Sequence, residues 1–505
     1  MKWAMKDKKH PVALVIGFVS AIGSRLKDVS KILQDKLEDY DFQIINIKLS
    51  NILKSIFVIN DSVNIKYYHN LMDGGLRLRK ELRTDALAML GLLQMQQLET
   101  DNARTVCLFN QLKHPDEIST LRKIYGQRFV LISVYQSQED RVDGLAGILR
   151  DNAAVFNKDH FKSHAEELIQ RDQEDGMKDY GVNVRKSFPM ADVFIDATDM
   201  NECKKNCHRF IDLLLQNPYI TPTKSEYAMF HAKAAATKSA SLQRQVGAVI
   251  VNGDSDILSI GTNEVPKYGG GQYWEDDRPD NRDFRLGYEI SDKFRHLSVK
   301  DLLKKLYDGK FIDDKYTDIE VLYQSVIKNE GVKASRIFDL IEYGRCVHAE
   351  MAAIVDASRR GVSIKNSILY STTFPCHECS RHIVAAGIQK VVYIEPYPKS
   401  MAKELYPDSI AYQINQRMDH VIYEPFSGIG PNRYMDLFQD RKRRDASGHI
   451  VKWDGREHWP KLSSHEGYYR YDQSGVVIEM RSFMRLLQAW YENPRTSKKN
   501  PKIKT

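Results

Sequence analysis

Cys346-Val347-His348-Ala349-Glu350 and, further along, Phe374-Pro375-Cys376-His377-Glu378-Cys379 are the two stretches that decide how this chain reads. Cys376 and Cys379 stand at i and i+3, so on the first turn of a helix both thiols face one way. A helix N-terminus also favours thiolates. One imidazole, His348, completes three protein ligands and leaves a tetrahedral Zn²⁺ with one open position, the mark of a catalytic zinc. Glu350 lies about 200° round a regular helix from His348. The two therefore share a site only if His348 sits at the helix start. A chance P-C-x-x-C is expected in roughly 0.2% of chains this long, whereas H-x-E alone turns up about once, so the second stretch carries the discrimination. A structural zinc is the alternative, with Cys346 or His377 as its fourth ligand.

Working outward, the second half of the chain alternates elements around these motifs. A helix is expected over Lys224–Lys238, strands over Val246–Val251 and Ile257–Thr262, and a helix over Val347–Ala357. A strand at Ser367–Ser371, a helix at Cys379–Ala386 and a strand at Val391–Ile394 follow. Between Lys267 and Tyr343 lies a long insertion, Gly-rich and acidic at its start and more helical at its end, of the kind that is usually functional or flexible. The first half alternates apolar runs with helical patterns. Strands are expected at Ala13–Gly17, Phe42–Ile47, Thr105–Phe109, Phe129–Val134 and Val193–Ile195, and helices at Arg25–Leu37, Leu76–Gln97 and Glu117–Tyr125. That alternation argues for a parallel sheet covered on both faces.

Length and composition bound the rest. At about 150 residues per domain, 505 residues suggest two to four domains. With 42% hydrophobic and 28% charged residues, wholesale disorder and collagen-like structure are excluded. No apolar run approaches the roughly 18 residues a membrane span needs, and the basic N-terminus has no apolar stretch of a secretory signal behind it. Six cysteines are no disulfide framework, so a cytoplasmic location with reduced thiols is expected. The net charge of +7 is modest; its clusters at Arg441–Arg444 and Arg495–Lys504 read as a solvated tail or as a nucleic-acid contact. Cys203 and Cys207 with His208 lack a second ligand pair and read as non-functional. Cys107 sits in an apolar strand and reads as core.

H-A-E followed by P-C-x-x-C is the signature of zinc-dependent nucleobase deaminases. Over roughly Thr221–Phe426 the chain resembles the cytidine/deoxycytidylate deaminase family. The likeness extends to Ser241–Val251 and to Gly261-Thr262-Asn263-Glu264-Val265-Pro266. The resemblance implies that His348, Cys376 and Cys379 hold zinc and that Glu350 shuttles the proton. It also implies that Asn263 contacts the sugar and that Arg244 belongs to the substrate site. Water activated by zinc would attack C4 of the cytosine ring, and ammonia would leave once Glu350 protonates the amino group. Phe374 departs from the Glu that many cytidine deaminases carry before P-C, without touching a ligand.

Val15–Ser24 follows a strand and precedes a helix, the context of a phosphate-binding P-loop, with Gly17, Gly23 and Ser24 as its candidate contacts. It is irregular: the glycine spacing is one residue too long and the Lys is absent, so active phosphoryl transfer is not expected. His114–Glu117, Arg171-Asp172 and Ala191–Asp196 look like later parts of nucleotide kinases. The fold class expected is therefore α/β: a P-loop nucleotide-kinase-like parallel-sheet domain over 1–216, expected to be regulatory, then a cytidine deaminase-like α/β/α domain over 221–440 with an insertion at 267–343. A basic C-terminal tail over 441–505 completes the expected domain map. That fusion resembles the bacterial anti-phage dCTP deaminases. The family implies deamination of free deoxycytidine nucleotides (dCTP, also dCMP), an inhibitory RNA partner for some members, and homo-oligomers. The competing readings are a housekeeping dCMP deaminase, a polynucleotide cytosine deaminase, and a regulator whose zinc is structural.

Overall fold

A computed structural model describes residues 12–60, 62–98, 102, 104–152, 158–174, 179–313, 318–333, 335, 337, 343–395, 400–412, 419–439, 441–461 and 473–492. In chain order its strands are β1 (Val12–Ser20), β2 (Gln43–Lys48), β3 (Thr105–Asn110), β4 (Phe129–Tyr135), β5 (Val193–Asp196), β6 (Gly247–Val251), β7 (Ile257–Thr262), β8 (Ile368–Ser371), β9 (Lys390–Tyr393), β10 (Ile410–Ala411), β11 (Val421–Pro425) and β12 (Gly428–Ile429). They form two six-stranded sheets, ordered β12-β5-β4-β1-β3-β2 and β10-β11-β9-β8-β6-β7. Contacts divide the described residues into two compact units. One lies within Met1–Tyr227, Glu395–Tyr397 and Pro425–Thr505, the other within Ala228–Ile394 and Pro398–Glu424.

In the first unit β1 to β5 are all parallel. Helices cover both faces, so the strands must be apolar throughout rather than alternating. β1, VALVIGFVS, is buried along nearly its whole length. Cys107 is wholly buried in β3, as its apolar neighbours require. Gly17, expected in a phosphate loop, lies inside β1 and pairs with Phe109 and Leu131. A Cβ there would meet Leu112 at 2.7 Å and Phe129 at 2.8 Å. Gly17 is thus a packing glycine, set by the crowding of neighbouring side chains. The single helix expected over Leu76–Gln97 is two, Ile65–Glu81 and Ala86–Gln97. The break falls at Leu82–Asp85, where Asp85 accepts from Arg83 and Thr120 instead of allowing the helix to continue.

The expected boundary at 440 also moves. β12 adds antiparallel to the open edge of β5, Gly428 opposite Phe194 and Ile429 opposite Val193. Buried Glu226 accepts from Ile429 N–H, from Thr223 N–H and from both terminal nitrogens of Arg209. Residues 425–439 therefore belong with the first sheet, because an unpaired strand edge needs hydrogen-bond partners wherever in the chain they lie. Of the basic residues that follow, Lys442, Arg443 and Arg444 are exposed, yet two of the run are anchored to backbone. Arg441 donates to Leu437, Asn217 and Leu213 carbonyls, capping the helix Met200–Leu214, and Arg443 donates to Pro218 O. Beyond them the helix Gln473–Glu492 buries Met480, Phe483, Leu487 and Trp490, and Trp490 donates to Glu81 at 2.7 Å. Residues 495–504 lie outside the described residues.

In the second unit β6 pairs antiparallel with β7 and β8, and β8 runs parallel to β9. The helix Ala349–Arg360 buries Ala349, Ala353 and Ala357 at four-residue spacing, a stripe of small residues. Opposite it, a Cβ on Gly261 of β7 would lie 2.0 Å from Ala349 O. That close approach of backbone to backbone seats the first turn of the helix, with Glu350, on the sheet. The 267–343 insertion carries the helices Ile290–Asp308 and Ile319–Lys328. Among the described residues no helix is long and apolar enough to cross a membrane.

Candidate functional site

Two helix starts make the site. His348 is the N-cap of Ala349–Arg360, with extended backbone at φ −65°, ψ 154°. This departure from helical geometry removes the angular conflict between His348 and Glu350. Cys376 is likewise the N-cap of His377–Ala385, and its Sγ accepts from Cys379 N–H at 3.4 Å. Both thiols thereby reach His348 Nδ1, Cys376 Sγ at 3.3 Å and Cys379 Sγ at 3.4 Å.

The donors fit zinc. Zn–S and Zn–N bonds of about 2.3 and 2.0–2.1 Å at tetrahedral angles set S···N edges of about 3.5 Å, close to both distances here. Among the described residues His348, Cys376 and Cys379 are the one group of such donors that could hold a metal ion, their ligand atoms all within 4.8 Å of one another. Cys346 and His377, the candidate fourth ligands, are not in it. Burial pushes the Cys346 thiol up to about 12. Three donors leave a coordination position open.

Glu350 is 2% exposed. Its Oε1 accepts from Ser371 Oγ at 2.9 Å, and its Oε2 lies 3.4 Å from Cys379 Sγ. Burial, then the neighbouring Cys376 thiolate, raise its pKa above the usual carboxylate range, which favours a carboxyl that carries a proton. Cys376 goes the other way, down to about 4, through its hydrogen bonds with Cys379 first and His348 next, opposed by burial. The hydrogen bond to Cys376 raises the His348 imidazole.

The expected substrate residues are placed differently from one another. Asn263 spends its amide on backbone, Oδ1 accepting from Val246 N–H at 2.6 Å and Nδ2 donating to Arg244 O at 2.8 Å. It fixes the segment that carries Arg244. Arg244 itself is exposed, and its positive charge slightly opposes the rise that the Cys376 hydrogen bond gives the His348 imidazole. Phe374, just before Pro375-Cys376, packs edge-on to Tyr393 with centroids 4.8 Å apart.

In the other unit the loop after β1 is short. Gly23 adopts a left-handed φ of +83°. The loop's amides are already engaged: Ile22 N–H by Asp172 at 2.9 Å and Arg25 N–H by Gln136 Oε1 at 3.1 Å. Lys113 Nζ bonds both Asp172 oxygens and Ser20 O. A carboxylate of the chain stands where a P-loop would present amides to phosphate, and Lys113 supplies its counter-charge. The Ser20 and Ser24 hydroxyls are buried without a partner. Asp172→Ala is expected to cost about 3–5 kcal/mol, because it leaves the Lys113 ammonium, 14% exposed, without its anion. Denaturant unfolding of the full chain checks this; a loss under about 1 kcal/mol would mark a surface-like pair. Cys203 and Cys207 are wholly buried in their helix and join no metal-binding group among the described residues.

Ser371 is the residue that motif reading missed; Asp172 was singled out, but as part of a kinase-like segment and not as the partner of the β1 loop. The signal for Ser371 was its place at the end of the strand that leads into P-C-x-x-C.

Comparison with known proteins agrees with the geometry. Residues 222–395 match the model of the cytidine and deoxycytidylate deaminase zinc-binding region. The chain is 44% identical to the deoxycytidylate deaminase of enterobacteria phage T2 over 54 residues, 11% of this chain and 29% of that protein. It is 35% identical to the probable deoxycytidylate deaminase of Drosophila melanogaster over 92 residues, 18% of this chain and 40% of that one. The apo dCMP deaminase of cyanophage S-TIM5 aligns with a TM-score of 0.21 at 18% identity, over 41% of this chain and 99% of that one. The chain thus spans well under half the length of these two curated relatives. Its C-terminal region is a cytidine/deoxycytidylate deaminase domain, with a His/Cys/Cys cluster compatible with Zn²⁺.

Proposed function

We propose that this protein catalyses zinc-dependent hydrolytic deamination of free deoxycytidine nucleotides to deoxyuridine nucleotides. One observation carries the proposal: three donors converge with one position to spare, and a buried carboxyl, Glu350, stands beside them, its Oε2 3.4 Å from Cys379 Sγ. When bound, zinc supplies a water acidified towards neutral pH. Glu350 takes the proton from that water and hands it to N3 of the ring. It then takes the second proton, from the new hydroxyl on C4, and gives it to the exocyclic amino group, so that the C4–N bond breaks and water and a cytosine base become a uracil base and ammonia. Arg244, exposed near His348, is the proposed contact for the nucleotide's phosphate, and Asn263 holds its backbone in place.

The finer reading is dCTP as well as dCMP, with pool depletion as an anti-phage defence, an inhibitory RNA partner and a homo-oligomeric state. Its support is the resemblance of the fused arrangement to the anti-phage dCTP deaminases. We also propose a regulatory rather than catalytic role for the N-terminal unit, since its glycine loop lacks the P-loop Lys and has two amides bonded to Asp172 and Gln136. Two residues of the basic run that supports the polynucleotide reading, Arg441 and Arg443, donate to backbone carbonyls. Purified full-length protein given dCMP, dCTP, cytidine and single-stranded DNA in turn is expected to release ammonia and a uracil product fastest from a free deoxynucleotide. Faster deamination of the DNA would overturn this reading in favour of an editor.

A further inference from the structure

We propose that Ser371 is a positioning residue that fixes the orientation of the Glu350 carboxyl, an inference that rests on the deaminase reading above. Ser371 ends β8 and is wholly buried. It is held from both sides, opposite Ala248 of β6 and opposite Tyr393 of β9. The next residue locks the strand end further: Thr372 N–H donates to Gly247 O at 3.0 Å and Thr372 Oγ1 accepts from Gly247 N–H at 3.1 Å. The Ser371 hydroxyl itself accepts from Thr373 N–H at 3.4 Å. With that lone pair engaged, its proton is free to point at Glu350 Oε1, 2.9 Å away.

The consequence for Glu350 is geometric. A carboxylate has two equivalent oxygens, and a free one rotates between them. Here Oε1 is tethered to the sheet, so Oε2 is the oxygen turned to the side of the candidate metal donors, 3.4 Å from Cys379 Sγ. Proton uptake and delivery then both use that oxygen without reorientation, which is the preorganisation that proton transfer rewards. Neither helix that supplies the zinc donors provides this contact. It comes from the strand, 21 positions away from Glu350 in sequence.

The test compares Ser371→Ala and Ser371→Thr with the wild type, each loaded with zinc. Ser371→Ala is expected to keep about one zinc per chain and the wild-type KM for dCMP, while kcat falls about 10- to 100-fold, the worth of a hydrogen bond to a charged group. Ser371→Thr keeps the hydroxyl and is expected to restore most of kcat. Equilibrium binding of the product dUMP, a readout independent of turnover, is expected to stay within about twofold across the series. If the alanine variant does not hold metal, Ser371→Cys takes its place, since its thiol keeps the volume and donates only weakly. Unchanged kcat in the alanine or cysteine variant, or a loss that appears wholly in KM, overturns the positioning role. Failure of the wild type itself to deaminate any cytosine nucleotide sinks the deaminase reading instead.

Discussion

Glu350→Ala is expected to keep zinc and fold while kcat for deamination falls at least about 100-fold, the low end of general acid–base contributions. The residues that could hold zinc are His348, Cys376 and Cys379, and Glu350 is not among them, so metal analysis should still find about one ion per chain. Removing the carboxylate takes away the group that moves protons between water, N3 and the leaving amine. Stability should change little or rise, because a carboxyl whose pKa is raised by burial pays for desolvation in the folded state. Near-wild-type turnover in a zinc-loaded variant would remove Glu350 from the mechanism. It would also remove the premise of the Ser371 proposal.

Cys376→Ser gives the second large effect, a loss of bound zinc with the helix start preserved. Cys376 caps His377–Ala385 through its Sγ, and serine is among the strongest N-cap residues. The local fold should therefore survive while a thiolate donor becomes a hydroxyl. The expected fall in zinc affinity exceeds the roughly 10- to 100-fold that changes behind the ligands cost, and activity goes with it. Cys379→Ser should lose zinc as well, but it also puts a new hydroxyl next to Glu350 Oε2 in a buried site, so Cys376→Ser is the cleaner test. Full zinc occupancy after dialysis in both variants would overturn the ligand assignment.

The zinc donors were legible from spacing alone because their geometry is local. Two thiols at i and i+3 of one first turn converge in any chain that starts a helix there. The His348–Glu350 conflict pointed to its own resolution, an N-cap at His348. The apolar runs of β1, β3 and β4 likewise announced a covered parallel sheet. Other features depended on what the remainder of the chain left unsatisfied. Gly17 looked like a phosphate glycine until Leu112 and Phe129 were found pressing on it. The basic run at Arg441 looked solvent-bound, yet the carbonyls at the end of Met200–Leu214 needed donors and took it. The stripe Met480, Phe483, Leu487 and Trp490 had helical spacing in the sequence, but only the tertiary structure supplied the surface it covers. β12 joined β5 because an open strand edge pairs with whatever backbone can reach it. Asp172 filled the β1 loop, and Ser371 reached Glu350, because buried amides and carboxylates must find partners at any sequence distance. Spacing along the chain encodes the turn of a helix; the pairing of distant edges, carbonyls and charges is decided only when the chain has packed.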